Sequence, residues 1–201
     1  MPTVGGRRRR WAADARDDGP VGALRDESRT DEPDADPENV ARAIALRKLA
    51  AAPQTRAQLD EAMARRGVPA EARDRVLDRF DDVGLIDDAM FARMWVESRH
   101  AGRGLAKKAL AHELRRRGVD SALVDEAVAE LAPEQEETTA RALVARRLPS
   151  TRGLDAATRT RRLAGMLARK GYPAVMSFRV VREALEREGV EEAELPPEDG
   201  W

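Results

Sequence analysis

The segment Asp81-Asp82-Val83-Gly84-Leu85-Ile86-Asp87-Asp88 places four carboxylates around one glycine. So many acidic oxygens in so short a stretch could hold a hard divalent cation. Their spacing is not that of a calcium loop, and Asp87 has a simpler use as the N-cap of a helix starting at Asp88. Asp88 then falls in the first turn, where the helix dipole favours negative charge. The cluster reads as structural capping. The two histidines, His100 and His112, have no companions at metal-ligand spacing, and His112-Glu113 lacks the second histidine of a zinc-protease helix. There is no cysteine, which excludes a thiolate zinc site, a disulfide scaffold and a cysteine nucleophile. No serine sits in a nucleophile elbow and no glycine-rich phosphate loop is present. No catalytic residue, metal or cofactor is expected.

The basic residues carry more information. Residues 99–117 hold Arg99, Arg103, Lys107, Lys108, Arg115, Arg116 and Arg117 against Glu113 alone. Residues 141–170 hold Arg141, Arg146, Arg147, Arg152, Arg159, Arg161, Arg162, Arg169 and Lys170 against Asp155 alone. The bland account is a solvated face in an arginine-rich chain. The sharper one is an electrostatic footprint for a polyanion, binding phosphates without reading bases. Arg99, Arg103, Lys107, Lys108, Arg115, Arg116, Arg141, Arg146, Arg147, Arg161 and Arg162 are the candidate contact residues. Arg103, Lys107 and Lys108 are expected together at the start of one helix, on one broad side.

Phe91 and Trp95 are spaced i,i+4, with Met94 and Val96 on nearby faces. An exposed pair could stack on bases, but flanking apolar residues on a helical period point to a core stripe.

These groups sit within a repeat. RRGVPAEARDRVLDRF at 65–80, RRGVDSALVDEAVAEL at 116–131 and RKGYPAVMSFRVVREA at 169–184 share one pattern. Each marker glycine (Gly67, Gly118, Gly171) has an apolar residue four before it (Met63, Leu114, Leu167) and a leucine eight before it (Leu59, Leu110, Leu163), a helical stripe. Two basic residues suit the negative end of that helix, and glycine suits the left-handed turn that ends it. The residue after each glycine, Val68, Val119 or Tyr172, is expected to pack inward. Pro69, Asp120 or Pro173 then opens another helix. A further helix precedes each pair, at 39–51, 88–99 and 134–147. The fold expected is all-α, an elongated array of three tandem three-helix repeats at 39–86, 87–132 and 133–189.

Composition agrees. Charged residues make up 36% of the 201-residue chain and aromatics 3%, which disfavours a sandwich or barrel. The formal net charge of −1 hides segregation: a basic middle lies between an acidic segment at 1–38 and an acidic tail at 190–201, both expected to be disordered. No apolar stretch approaches a membrane span, and no apolar run follows the arginines at 7–10, so a cytoplasmic location is expected.

Gly84-Leu85-Ile86-Asp87-Asp88, then Phe91-Ala92, Trp95-Val96 and Ser98-Arg99, resemble the hallmark of the RecX family. Gly104, Leu110, Glu113-Leu114 and Arg117-Gly118-Val119 continue the likeness, which covers about 40–188. The resemblance implies a small helical-repeat regulator of RecA recombinase. Such proteins lodge in the groove of the RecA–single-strand DNA filament and suppress ATP hydrolysis, strand exchange and co-protease activity. It gives Gly84, Leu85, Ile86, Asp87, Asp88, Phe91, Ala92, Trp95, Val96 and Ser98 a mainly structural role. The expected partners are the RecA filament and single-stranded DNA, the latter weakly or through the filament, with the chain a monomer. The alternative is a stand-alone DNA-binding helical repeat protein.

Overall fold

The computed structural model describes residues 36–190, so most of the acidic segment at 1–38 and nearly all of the tail at 190–201 lie outside the described residues. The described residues form nine α-helices, one short 3-10 helix and no strand. None of these helices is long and apolar enough to cross a membrane.

The first unit comprises α1 (Pro37–Ala51), α2 (Arg56–Ala64) and α3 (Ala70–Asp82). The second comprises α4 (Asp88–Arg103), α5 (Lys107–Arg116) and α6 (Ser121–Ala129). The third comprises α7 (Pro133–Arg147), α8 (Ala156–Arg169) and α9 (Ala174–Arg187). Within each unit all three helices touch one another. The first helix begins two residues before the expected 39, because the Asp36 carboxylate accepts from the Glu38 N–H and Pro37 occupies the first helical position. A 3-10 helix at Leu148–Thr151 lengthens the α7–α8 connection, which the repeat pattern does not foreshadow.

The middle helices repeat one register. Leu59 and Met63, Leu110 and Leu114, Leu163 and Leu167 are all fully buried, as the spacing from the marker glycines requires. Each middle helix closes with the same turn: the glycine N–H reaches the carbonyl three residues back, and the next N–H reaches the carbonyl five back. This is the Schellman arrangement, which needs a left-handed residue at the glycine. Val68, Val119 and Tyr172 follow and are buried. Each unit has its own apolar cluster, although Ala106, just ahead of α5, belongs to the third unit's core.

The units join by a repeated device. The Thr55 hydroxyl, at the N-cap of α2, donates to the Arg117 carbonyl at the end of α5 (2.6 Å). The Ala106 N–H, at the N-cap of α5, donates to the Lys170 carbonyl at the end of α8 (2.9 Å). The donor differs because Gln58 already accepts the Thr55 N–H in a capping box, whereas the Ala106 N–H is free to cross. A carboxylate completes each joint. Asp88 accepts the Arg56 N–H (2.9 Å), and Glu136, 6% exposed, accepts the Lys107 N–H (2.8 Å). Thus the first helix of one unit caps the middle helix of the unit before it.

Glycine also permits the close approach. A Cβ at Gly118 would lie 2.3 Å from the Ala57 Cβ, and one at Gly171 would lie 2.5 Å from the Ala109 backbone nitrogen. No described unit precedes the first, and nothing lies within 4 Å of the Gly67 Cβ position.

Two outcomes follow. Gly171→Ala combines left-handed strain with a backbone clash, so it should cost about 2–4 kcal/mol, against about 1–2 for Gly67→Ala, which has the strain alone. Chemical denaturation midpoints of the two variants measure the difference. Glu136→Ala leaves the first N–H of α5 without its acceptor and should cost about 1–3 kcal/mol, while Glu136→Gln, which keeps an acceptor, should cost less.

Candidate functional site

The hallmark segment is explained by the first joint. Gly84 adopts φ +68°, and the Gly84 and Leu85 N–H groups return to Asp81 and Phe80 to close α3. Ile86 enters the first unit's core. Asp87 caps α4 by accepting from the Met90 N–H (2.8 Å). Asp88 does more than complement its own helix dipole, since its carboxylate crosses to α2. Burial, with Asp81 and Asp87 nearby, pushes its carboxyl above the ordinary range against the pull of the Arg56 N–H. Ala92 and Val96 face the second unit's core, while Leu85 and Ser98 are exposed.

Trp95 packs against the second unit's core, as its spacing suggests, but at its edge. It is half-buried and stacked on Phe91 at 5.7 Å. The Arg99 and Arg117 guanidiniums lie over its ring at 4.1 and 3.8 Å, and its Nε1–H donates to Glu113 (2.9 Å). An indole at a half-buried position gains from such cations and from an acceptor for its N–H. Met90 and Met94 point outward.

The structure separates the candidate cations into two groups. Arg99 lies against Trp95 and within 3.9 Å of Glu113. Arg115 pairs with Asp125, and Arg141 pairs with Glu137 and Glu183. These three hold the fold together. Arg179 also binds Glu137, so hydrogen bonding from Arg179, with Arg141 nearby, lowers the Glu137 carboxyl to about 2. Arg103 does not share a helix with Lys107 and Lys108. It ends α4, because Gly104 takes the left-handed C-cap, and Lys107 starts α5.

The second group faces a cleft of about 1140 Å³ between α5 and the α8–α9 pair. Lys107, Lys108 and Arg116 line one wall, Arg161 and Arg169 the other. None of these five has an ion-pair partner among the described residues. Arg161, Arg162 and Arg169 also line a neighbouring hollow of about 590 Å³ with Arg147. The two surpluses, far apart in sequence, therefore meet across the second joint. Arg146 is exposed near Lys170, whose ammonium is held below its ordinary value by burial and then by Arg146 and Arg103.

Several contributors are not evident from spacing. The Lys170 ammonium donates to the Arg103 carbonyl (2.6 Å), and the Tyr172 hydroxyl donates to the Gly104 carbonyl (3.1 Å), so both brace the end of α4. Burial, with Glu136 adding to it, pushes the Tyr172 hydroxyl up to about 12. His100 bridges the Leu105 carbonyl and the Thr139 hydroxyl, an internal role. Arg169 is absent from the candidate contact residues; its signal is that it lies eight residues after Arg161 on α8. No group of three or more His, Asp or Glu side chains among the described residues is arranged to hold a metal ion.

The comparisons with known proteins follow the same three units. The first RecX three-helix domain matches residues 41–80, the second 87–128 and the third 134–181. Regulatory protein RecX of Streptomyces coelicolor is 60% identical over 83% of this chain and 89% of its own length. That of Thermobifida fusca is 55% identical over 94% of this chain and 98% of its own. The crystal structure of RecX from Lactobacillus salivarius superposes with a TM-score of 0.68 at 14% identity, covering 73% of this chain and 96% of that one, a likeness of fold. With all three domains matched in order and identity this high over most of both chains, the chain belongs to the RecX family of regulatory proteins.

Proposed function

We propose that this chain binds the RecA–single-strand DNA filament and suppresses RecA ATP hydrolysis, strand exchange and co-protease activity, with no reaction of its own. It acts as a monomer in the cytoplasm. The observation that supports the reading is the gathering of Lys107, Lys108, Arg116, Arg161 and Arg169, none with an ion-pair partner among the described residues, along one cleft of a family regulator. A fold that neutralises Arg115, Arg141 and Arg159 with its own carboxylates leaves these five for something else. Their ligand is anionic, and a nucleoprotein filament offers a continuous row of phosphates.

A helix-turn-helix reader of duplex bases fits less well. The helices that follow the Gly67 and Gly118 turns, α3 and α6, present Glu71, Asp74 and Asp78, or Asp125 and Glu126, to solvent. A recognition helix needs donors for base edges and tolerates little negative charge beside phosphates.

The test is RecA ATPase on single-stranded DNA, titrated with the full chain. Turnover should fall with added chain. Raising salt from 50 to 200 mM should weaken the inhibition by roughly twentyfold, as expected for about three phosphate contacts to a single strand. RecA turnover unaffected by excess chain at the lower salt would overturn the reading.

A further inference from the structure

We propose that the cleft between α5 and the α8–α9 pair grips the phosphodiester backbone of a single nucleic-acid strand directly, with one phosphate seated at the N-terminus of α9. This rests on the reading above and adds a direct contact between this chain and the strand, independent of RecA.

The walls match a polyanion in length. Lys108 and Arg116 are eight residues apart on α5, and Arg161 and Arg169 are eight apart on α8. Each pair spans about 12 Å along its helix. That is room for about two or three successive phosphates of a strand lying along the cleft. Gly165 and Ala168 lie between the two arginines of α8 and also line the cleft. Their small size lets a backbone come close to that wall. The two carboxylates in the lining are already committed: Glu113 to the Trp95 indole, Arg99 and Arg103, and Glu136 to the Lys107 N–H. They leave the five cations uncompensated.

The seat is at α9. This helix opens at Pro173, and no side chain caps it. Its first N–H groups have no acceptor within the helix, and its dipole presents positive charge there. Pro173 and Ala174 line the cleft. A second observation points to the same place. Ser177, one turn further on, also lines the cleft, is 1% exposed, and its Oγ has no hydrogen-bond partner. A buried hydroxyl without a partner is costly, and a phosphate oxygen at the α9 N-terminus would supply the missing acceptor, in the manner of helix-bound phosphates. The strand is single because a duplex is too broad for a cleft of about 1140 Å³ between helices and would meet only its rim. Nothing in the lining requires a particular base, so binding is blind to sequence.

The experiment is fluorescence anisotropy of a dye-labelled oligothymidylate with the full chain and no RecA, at several salt concentrations. Wild type should bind with a log–log salt slope of about −2 to −3. Arg161→Glu/Arg169→Glu should weaken binding at least about tenfold and flatten the slope by about 1.4. Arg42→Glu/Arg47→Glu, the same charge change on α1, should weaken it less than about threefold, since neither residue lines the cleft and salt screens exposed charges at a distance. Ser177→Ala should weaken binding by about threefold to fivefold, the size of one modest hydrogen bond, while its thermal midpoint without DNA stays level or rises. Equal losses in the two double variants would overturn the cleft. A Ser177→Ala variant that gains stability and keeps full affinity would overturn the seat. Failure of wild type to bind the free strand at low salt, with RecA ATPase still inhibited, would mean that the cations face RecA carboxylates, which sinks this inference and spares the filament reading. Loss of both activities would sink the two together.

Discussion

The N-terminus of a middle helix is the weak point of each unit, and the next unit completes it. Four N–H groups at a helix start have no partner within the helix. For α2, Thr55 and Gln58 satisfy part of the need locally, and Asp88 of the second unit takes the Arg56 N–H. For α5 no local side chain helps, and Glu136 of the third unit takes the Lys107 N–H. No described unit follows the third, and there α8 caps itself: Asp155 accepts from the Thr158 N–H at 2.8 Å. Thus α2 uses both local and neighbouring caps, α5 relies on its neighbour, and α8 caps itself. Stability in such an array belongs to interfaces as much as to units, which is why no unit carries a full set of its own caps.

The same constraint sorts the charges. An arginine beside a joint or a helix seam is drawn into the structure. Arg159 is buried against Glu188 and the Thr151 hydroxyl, Arg56 forks to Asp78 and Asp81, and Arg99 and Arg117 flatten onto Trp95. Bidentate and stacked contacts of this kind suit guanidinium better than ammonium. Among the cations without an ion pair, Lys107, Lys108, Arg116, Arg161 and Arg169 gather around the second joint.

Much of this was legible in the sequence. The apolar stripe ending at each marker glycine fixed the middle helices, and Leu59, Leu110 and Leu163 are buried as that stripe demands. Asp87 was identifiable as a cap because capping is local. The crossing contacts were not legible. Arg56 and Asp88 are 32 residues apart, and Lys107 and Glu136 are 29 apart, with intervening helices whose packing no short pattern encodes. The depth of Trp95 was not legible for a related reason. Its period says which face of α4 it occupies, but the depth of that face depends on the guanidiniums that cover it. Arg103 was assigned to the wrong helix because Gly104, in a left-handed conformation at φ +63°, ends α4 just after it.

The position of the cleft follows from the joint rather than from the cations that line it. Gly171 sits against Ala109 in the first turn of α5, and Ala106 bonds to Lys170 at the end of α8. These two contacts set how far α5 stands from α8, hence how far Lys108 and Arg116 stand from Arg161 and Arg169. Tyr172 and Lys170 fix the other side by tying the end of α4 to the same turn. Packed interfaces of this kind have one well-defined arrangement rather than a continuum. The spacing of the two cationic rows is therefore a property of buried, largely uncharged contacts, and a change at Gly171 or Tyr172 alters the charge pattern offered to a polyanion without removing a single charge.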